Sequence, residues 1–247
     1  MLIGLMCATN DEIALLKKDM KVTSSEEVGG RTFYRGKLYG KNTVLVRSNI
    51  GKVAAAITTT VLIERYSVDE IVFTGTAGGV GNGLHVGDAI VAESLVQHDF
   101  DCIGCDLFNV PILDKTHFET DKIISKNAMH AAQDYFDNHM REDISEDILR
   151  KFHITSPKAV SGVVASGDVF IRSSEKKKWL LDNIDNLKCV EMEGAAAAQV
   201  AYEYGVAFAV IRIVSDAADE QGEFNYNEFV SEASSRFVRG IVKCLLS

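Results

Sequence analysis

The chain has 247 residues, 47% hydrophobic and 25% charged, with a net charge of −9 at pH 7. That length suits one large-cored domain, and the sign of the charge argues against a nucleic-acid partner, whose phosphates call for clustered Lys and Arg. The longest mostly apolar stretch, 53–63, is interrupted by Thr58, Thr59 and Thr60 and is too short to span a bilayer, so no membrane partner is expected.

Residues 2–7 form an apolar run without the charged flank and small-residue cleavage site of a signal peptide, and read as a first buried strand. Thr9-Asn10-Asp11-Glu12 then has the form of a capping box for a helix over 11–18, with Glu12 reaching back to the cap. Strands are expected over 32–38 and 43–48, joined at Tyr39-Gly40 as a hairpin. A helix over 52–66 and a strand over 70–74 follow.

That strand leads into Gly75-Thr76-Ala77-Gly78-Gly79, continuing through Gly81 and Gly83, which reads as a loop where a ligand or a tight turn approaches the backbone. It fits G-x-G-x-x-G in no register, and Gly51-Lys52-Val53 opens no P-loop, so dinucleotide and nucleoside triphosphate binding lose their main support.

After a strand over 89–96, His98, Cys102 and Cys105 make H-x3-C-x2-C. This offers three ligands toward zinc, but with no second pair to close a four-ligand set the reading favours free thiols and no metal. The odd set of five cysteines, in a chain large enough to need no covalent staples, fits a reducing, cytoplasmic compartment. Further on come a helix over 121–138, an acidic stretch at 142–147 with no assigned role, a strand over 159–165 and a helix over 174–183. A strand over 188–191, a helix over 194–204, a strand over 207–214 and a helix over 227–246 complete the series. Two prolines, no repeat and no linker leave a single domain over 1–247. Several strands are unbroken apolar runs, as when helices cover both faces, which gives an α/β class with a mixed sheet flanked by helices.

Three acids stand where apolar strands end: Glu12, Glu193 within Val190-Glu191-Met192-Glu193-Gly194, and Asp216 after the run 207–214. Glu12 alone is explained by its cap. Glu193 is not, because it sits between a buried strand and the small-residue helix opening at Gly194, where an unpaired carboxylate is costly. Arg212, inside an apolar strand, should point to an acid or a ligand. Ligands of open α/β sheets bind beyond the carboxyl ends of the strands, where Glu12, Thr76, Glu193 and Asp216 would gather.

The runs Ser48-x-Ile50-Gly51-Lys52-Val53, Thr74-Gly75-Thr76-Ala77-Gly78-Gly79, Ala165-Ser166-Gly167-Asp168-x-Phe170, Val190-Glu191-Met192-Glu193 and Arg212-x-x-Ser215-Asp216-x-Ala218-Asp219 resemble, in order, the nucleoside phosphorylase/nucleosidase superfamily. The likeness is strongest to the bacterial methylthioadenosine/S-adenosylhomocysteine nucleosidases, covers nearly the whole chain, and is weakest over 101–155. It implies the phosphorylase-like three-layer sandwich, a 5′-substituted adenosine as substrate, a homodimer, and no metal or organic cofactor.

By the same resemblance Glu12 would activate the attacking water and Asp216 would donate a proton toward purine N7. Glu193 would hold the ribose hydroxyls, Met192 would pack on the ribose, and Arg212 and Thr76 would order water or sugar. Ser215 would support Asp216, Phe170 would stack on adenine and the backbone of Ile171 would read its amino edge. Ile50, Ala77, Gly78 and Tyr226 would line the pocket. Departures are Thr76 for the usual serine, Thr9 where methionine is expected and Tyr226 where phenylalanine is common. The partner subunit would cover the 5′ substituent from the loop after His98-Asp99, where Cys105, Leu107, Phe108 and Pro111 are available.

N-ribosidic cleavage passes through an oxocarbenium-like sugar, so it needs an acid at the departing base, an activated water on the opposite face and negative charge near the ring. Asp216 must then be protonated near neutrality, which burial would bring about. The rivals are a purine nucleoside phosphorylase, which needs several cations round a phosphate dianion, and a nucleoside sensor without chemistry. The segment after the first strand offers Asn10, Asp11 and Glu12 and no arginine, which favours water as the nucleophile.

Overall fold

The computed structural model describes residues 1–220 and 222–247. In chain order the elements are β1 (Ile3–Cys7), α1 (Asn10–Asp19), β2 (Lys21–Val28), β3 (Arg31–Leu38), β4 (Lys41–Arg47), α2 (Lys52–Tyr66), β5 (Glu70–Gly79), β6 (Ala89–Gln97) and β7 (Phe118–Glu119). Then follow α3 (Lys122–Asn138), α4 (Met140–Asp143), α5 (Glu146–Lys151), β8 (Ala159–Ser166), α6 (Ser174–Asn183), β9 (Leu187–Glu191), α7 (Gly194–Tyr204), β10 (Ala207–Asp216) and α8 (Gly222–Phe229). A π-helical turn, Val230–Ser234, joins α8 to α9 (Ser235–Leu246).

The strands form one mixed sheet. β1 lies between β4 and β5, parallel to both, and the antiparallel pairs β4–β3 and β3–β2 extend it to one edge. Beyond β5 the sheet closes on itself: β5 pairs parallel with β10, β10 antiparallel with β6, β6 parallel with β8, β8 parallel with β9, and β9 antiparallel with the far end of β5. The closure uses Gly78 and Gly79, opposite Val190 and Cys189.

Apolar runs become doubly covered strands because alternate residues enter different cores. Ile3, Leu5 and Cys7 of β1 join the core under α1, α3 and α9, whereas Met6 joins the core under α2 and α7. β10 divides likewise, with Ala209, Ile211 and Ile213 on one side and Phe208, Val210 and Val214 on the other. The three-layer α/β arrangement is the one expected.

β2 and the short helices α4 and α5 had no signal in the sequence. β2 is an exposed edge strand, so its polar sequence carries no alternation, and it is held by the ladder to β3. The acidic stretch 142–147 falls across α4 and α5, where Ser145 caps the second by accepting from Ile148 N. The glycine loop expected after residue 74 is instead strand, since β5 continues to Gly79.

Candidate active site

The carboxyl ends of β1, β5, β9 and β10 surround a cavity of about 140 Å³ lined by Ala8, Thr9, Glu12, Ile50, Thr76, Ala77, Gly78, Val169, Phe170, Ile171, Val190, Glu191, Met192, Glu193, Asp216 and Tyr226. Glu12 enters it from the first turn of α1, where two roles merge. Its Oε2 accepts from Ala8 N at 2.9 Å and Thr9 N at 3.0 Å, while Thr9 Oγ1 accepts from Glu12 N at 3.3 Å, so the capping box is complete. Its Oε1 accepts from Thr76 N at 2.9 Å and Thr76 Oγ1 at 3.0 Å on β5. Cap and site residue are thus one side chain.

The glycines of β5 are required by this crowding. A Cβ on Gly75 would lie 2.9 Å from Glu12 Oε1, and one on Gly78 would lie 2.9 Å from Ala218 Cβ and 3.1 Å from Asp216 Oδ1. The bare strand lets two acids from different elements approach one wall.

Glu191 and Glu193, at the end of β9, have opposite fates. Glu191 accepts from Gly194 N at 2.9 and 2.8 Å, from Arg212 Nη2 at 2.5 Å and Nε at 3.2 Å, and from the Ser166 hydroxyl. It caps α7 and neutralises Arg212, whose Nη1 donates to the carbonyls of Phe73 and Ile211. Glu193 accepts from Gly51 N at 2.8 Å and otherwise faces the cavity. Burial, then the charge of Glu191, pushes its pKa up to about 8.

Asp216 ends β10 fully buried. Its Oδ2 accepts from Ser215 Oγ at 2.7 Å and its Oδ1 from Ala218 N at 2.8 Å. Burial raises its pKa, against the opposing pull of those two donors and of Lys177. Phe170 meets Tyr226 edge to face, with ring centroids 5.7 Å apart, and closes another wall. Burial and the charges of Glu12 and Glu193 push the Tyr226 phenol up to about 12, so it is neutral.

A match to the phosphorylase superfamily covers residues 2–247. The chain belongs to that superfamily. It is 35% identical to the 5′-methylthioadenosine/S-adenosylhomocysteine nucleosidase of Listeria welshimeri over 247 residues, covering 99% of each chain. The solved nucleosidase of that name from Neisseria meningitidis, in complex with methylthio-immucillin-A, superposes with a TM-score of 0.83 at 34% identity over 98% of both chains. The futalosine hydrolase of Helicobacter pylori does so with a TM-score of 0.81 at 29% identity, covering 98% of this chain and 96% of the other.

Within this superfamily fold, eleven of the residues singled out from the sequence line the cavity: Glu12, Ile50, Thr76, Ala77, Gly78, Phe170, Ile171, Met192, Glu193, Asp216 and Tyr226. Two do not. Arg212 is 1% exposed, lies outside the cavity lining and pairs with Glu191 at the end of β9. Ser215 is buried behind Asp216, as a supporting hydroxyl would be.

Ala8, Val169, Val190 and Glu191 line the cavity without having been assigned to it. Val169 and Glu191 adjoin Phe170 and Met192 in the chain, Val190 belongs to the same motif as Met192, and Ala8 precedes the cap of Glu12; that proximity is the signal available in the sequence. His98, Cys102 and Cys105 do not come together as a ligand set among the described residues. Phe108, which the resemblance offered to a partner's pocket, is buried edge to face against Trp179 of its own chain.

Proposed function

We propose that the chain hydrolyses the N-ribosidic bond of 5′-substituted adenosines, methylthioadenosine and S-adenosylhomocysteine foremost, releasing adenine and the 5-substituted ribose. The observation that carries this reading is the lack of cations in the cavity wall: Glu12, Glu191, Glu193 and Asp216 line it, and among the described residues no Lys or Arg does. A phosphate dianion would find no cation there to neutralise it, whereas a neutral water needs none.

In the mechanism Glu12 takes a proton from the attacking water on one face of the ribose. Asp216, whose pKa burial raises, gives a proton to N7 of the departing purine. Glu193, in its ionised form, accepts from the ribose hydroxyls and stabilises the oxocarbenium charge. Met192 packs on the sugar, Phe170 stacks on adenine, and the backbone at Ile171 reads its amino edge. Thr76 orders the water and Ser215 orients Asp216. Ile50, Ala77, Gly78 and Tyr226 enclose the nucleoside.

The five free cysteines support a cytoplasmic setting, and the reaction suits methionine salvage. Ile50 before α2 and Val53 and Ile57 on it are exposed apolar residues, and Ile50 also lines the cavity, which supports a homodimer. A futalosine-type nucleoside is the second reading, favoured by the hydroxyls of Thr9 and Tyr226 in the cavity wall.

Chromatography of products from methylthioadenosine, with and without phosphate, tests the reading. Adenine and methylthioribose in both buffers are expected. Adenine only with phosphate, beside a sugar phosphate, would replace hydrolysis by phosphorolysis. No adenine from methylthioadenosine or S-adenosylhomocysteine, with cleavage of aminodeoxyfutalosine, would favour the second reading.

A further inference from the structure

The segment leaving β10 is held from outside the cavity by α6. Lys177 Nζ donates to Ala217 O at 2.6 Å and to Gly79 O at 3.3 Å, tying the residue after Asp216 to the end of β5. One turn earlier, Ser174 donates from its N and Oγ to Glu220 at 3.0 and 2.8 Å. Between these anchors Ala218 adopts φ of 49°, a left-handed conformation that costs a non-glycine residue on the order of 1 kcal/mol and persists only where neighbours enforce it. That turn aims Ala218 N at Asp216 Oδ1.

We propose that Lys177 is a positioning residue for the reaction: its ammonium clamps the Ala217 and Gly79 carbonyls and so fixes the Asp216 carboxyl against the cavity. The inference rests on the reading of Asp216 as the acid that protonates the purine. The clamp has an electrostatic side. Asp219, on the same loop, raises the Asp216 pKa and Lys177 lowers it, while Tyr226 from α8 and Cys189 from β9 face it as neutral groups. Burial raises the carboxyl's pKa, and Lys177 opposes that rise. The proton-transfer driving force and the protonated fraction are thereby balanced.

The test follows kcat and KM for methylthioadenosine against pH in the wild type, Lys177→Met, Lys177→Arg and Asp216→Asn, with melting temperatures alongside. Lys177→Met should lose about tenfold in kcat at neutral pH, with KM within about twofold. Its alkaline limb should move up by about half a unit or more, because the acid loses a nearby cation. Lys177→Arg should restore the limb and part of the rate.

Should Lys177→Met lose its fold, Lys177→Gln, which keeps a donor and drops the charge, carries the same test. An inactive Asp216→Asn beside a Lys177 variant whose limb does not move would overturn the proposal while leaving the acid in place. An Asp216→Asn enzyme of near wild-type activity would instead remove the acid assignment itself.

Discussion

Glu193→Gln should make the protein more stable at alkaline pH. The carboxyl is 6% exposed, and burial with the charge of Glu191 lifts its pKa from 4.5 to about 8. An acid whose folded pKa lies above its unfolded one is protonated in the folded chain and ionised in the unfolded chain between those values. Its contribution is therefore intact below pH about 4.5 and is lost as pH rises through about 8. At about 1.4 kcal/mol per pH unit, the loss between pH 5 and pH 8 integrates to about 3.5 kcal/mol.

Glutamine has the same shape, its amide oxygen can still accept from Gly51 N, and it does not titrate. The stability difference between variant and wild type should therefore shift by about 2–4 kcal/mol toward the glutamine as pH is raised from 5 to 8. Urea unfolding at pH 5, 6, 7 and 8, at fixed ionic strength, measures it. A difference that stays constant across the series would mean that Glu193 is ionised throughout, and the account of the site as a desolvated cluster of acids would be wrong. The same variant should lose activity, because it has no negative charge to place beside the sugar.

Two further substitutions probe the wall. Gly75→Ala brings a methyl to 2.9 Å from Glu12 Oε1 and should cut kcat on the order of 100-fold by displacing that carboxylate, with far-UV circular dichroism unchanged. Wild-type kcat in this variant would show that Glu12 position is not critical. Arg212→Met leaves Glu191 buried without its partner and should cost about 3–5 kcal/mol in urea unfolding. A cost under about 1 kcal/mol would show that the Ser166, Glu193 and Gly194 donors suffice for Glu191 alone.

The elements that were legible in the sequence are those whose residues answer to a core. β1 and β10 read as strands because both of their faces are covered, and α2 and α7 were bounded correctly at Lys52–Tyr66 and Gly194–Tyr204. β2 was invisible because its stability comes from a ladder and not from burial. The five residues after Thr74 were misjudged for a subtler reason: their glycines answer to side chains from α1 and β10, and sequence alone cannot reveal what occupies the space beside a missing Cβ.

The same limit separated Arg212 from its role. Its isolation in an apolar strand signalled an acid or a ligand, and only the sheet register decides that Glu191 is the partner. Glu12 shows the converse, since the cap accounts for it from the sequence and the same side chain also lines the cavity.

Four donors already surround the Glu12 carboxylate: Ala8 N and Thr9 N at one oxygen, Thr76 N and Thr76 Oγ1 at the other. Its acceptor directions are full before any water arrives. Three of those donors are backbone amides locked in place, and only the Thr76 hydroxyl can turn away. On the reading of Glu12 as the base, the attacking water has to enter by exchange, taking over the direction that Thr76 vacates. The Thr76 hydroxyl is thus the one movable donor of the four, and the identity of residue 76 governs how that exchange takes place.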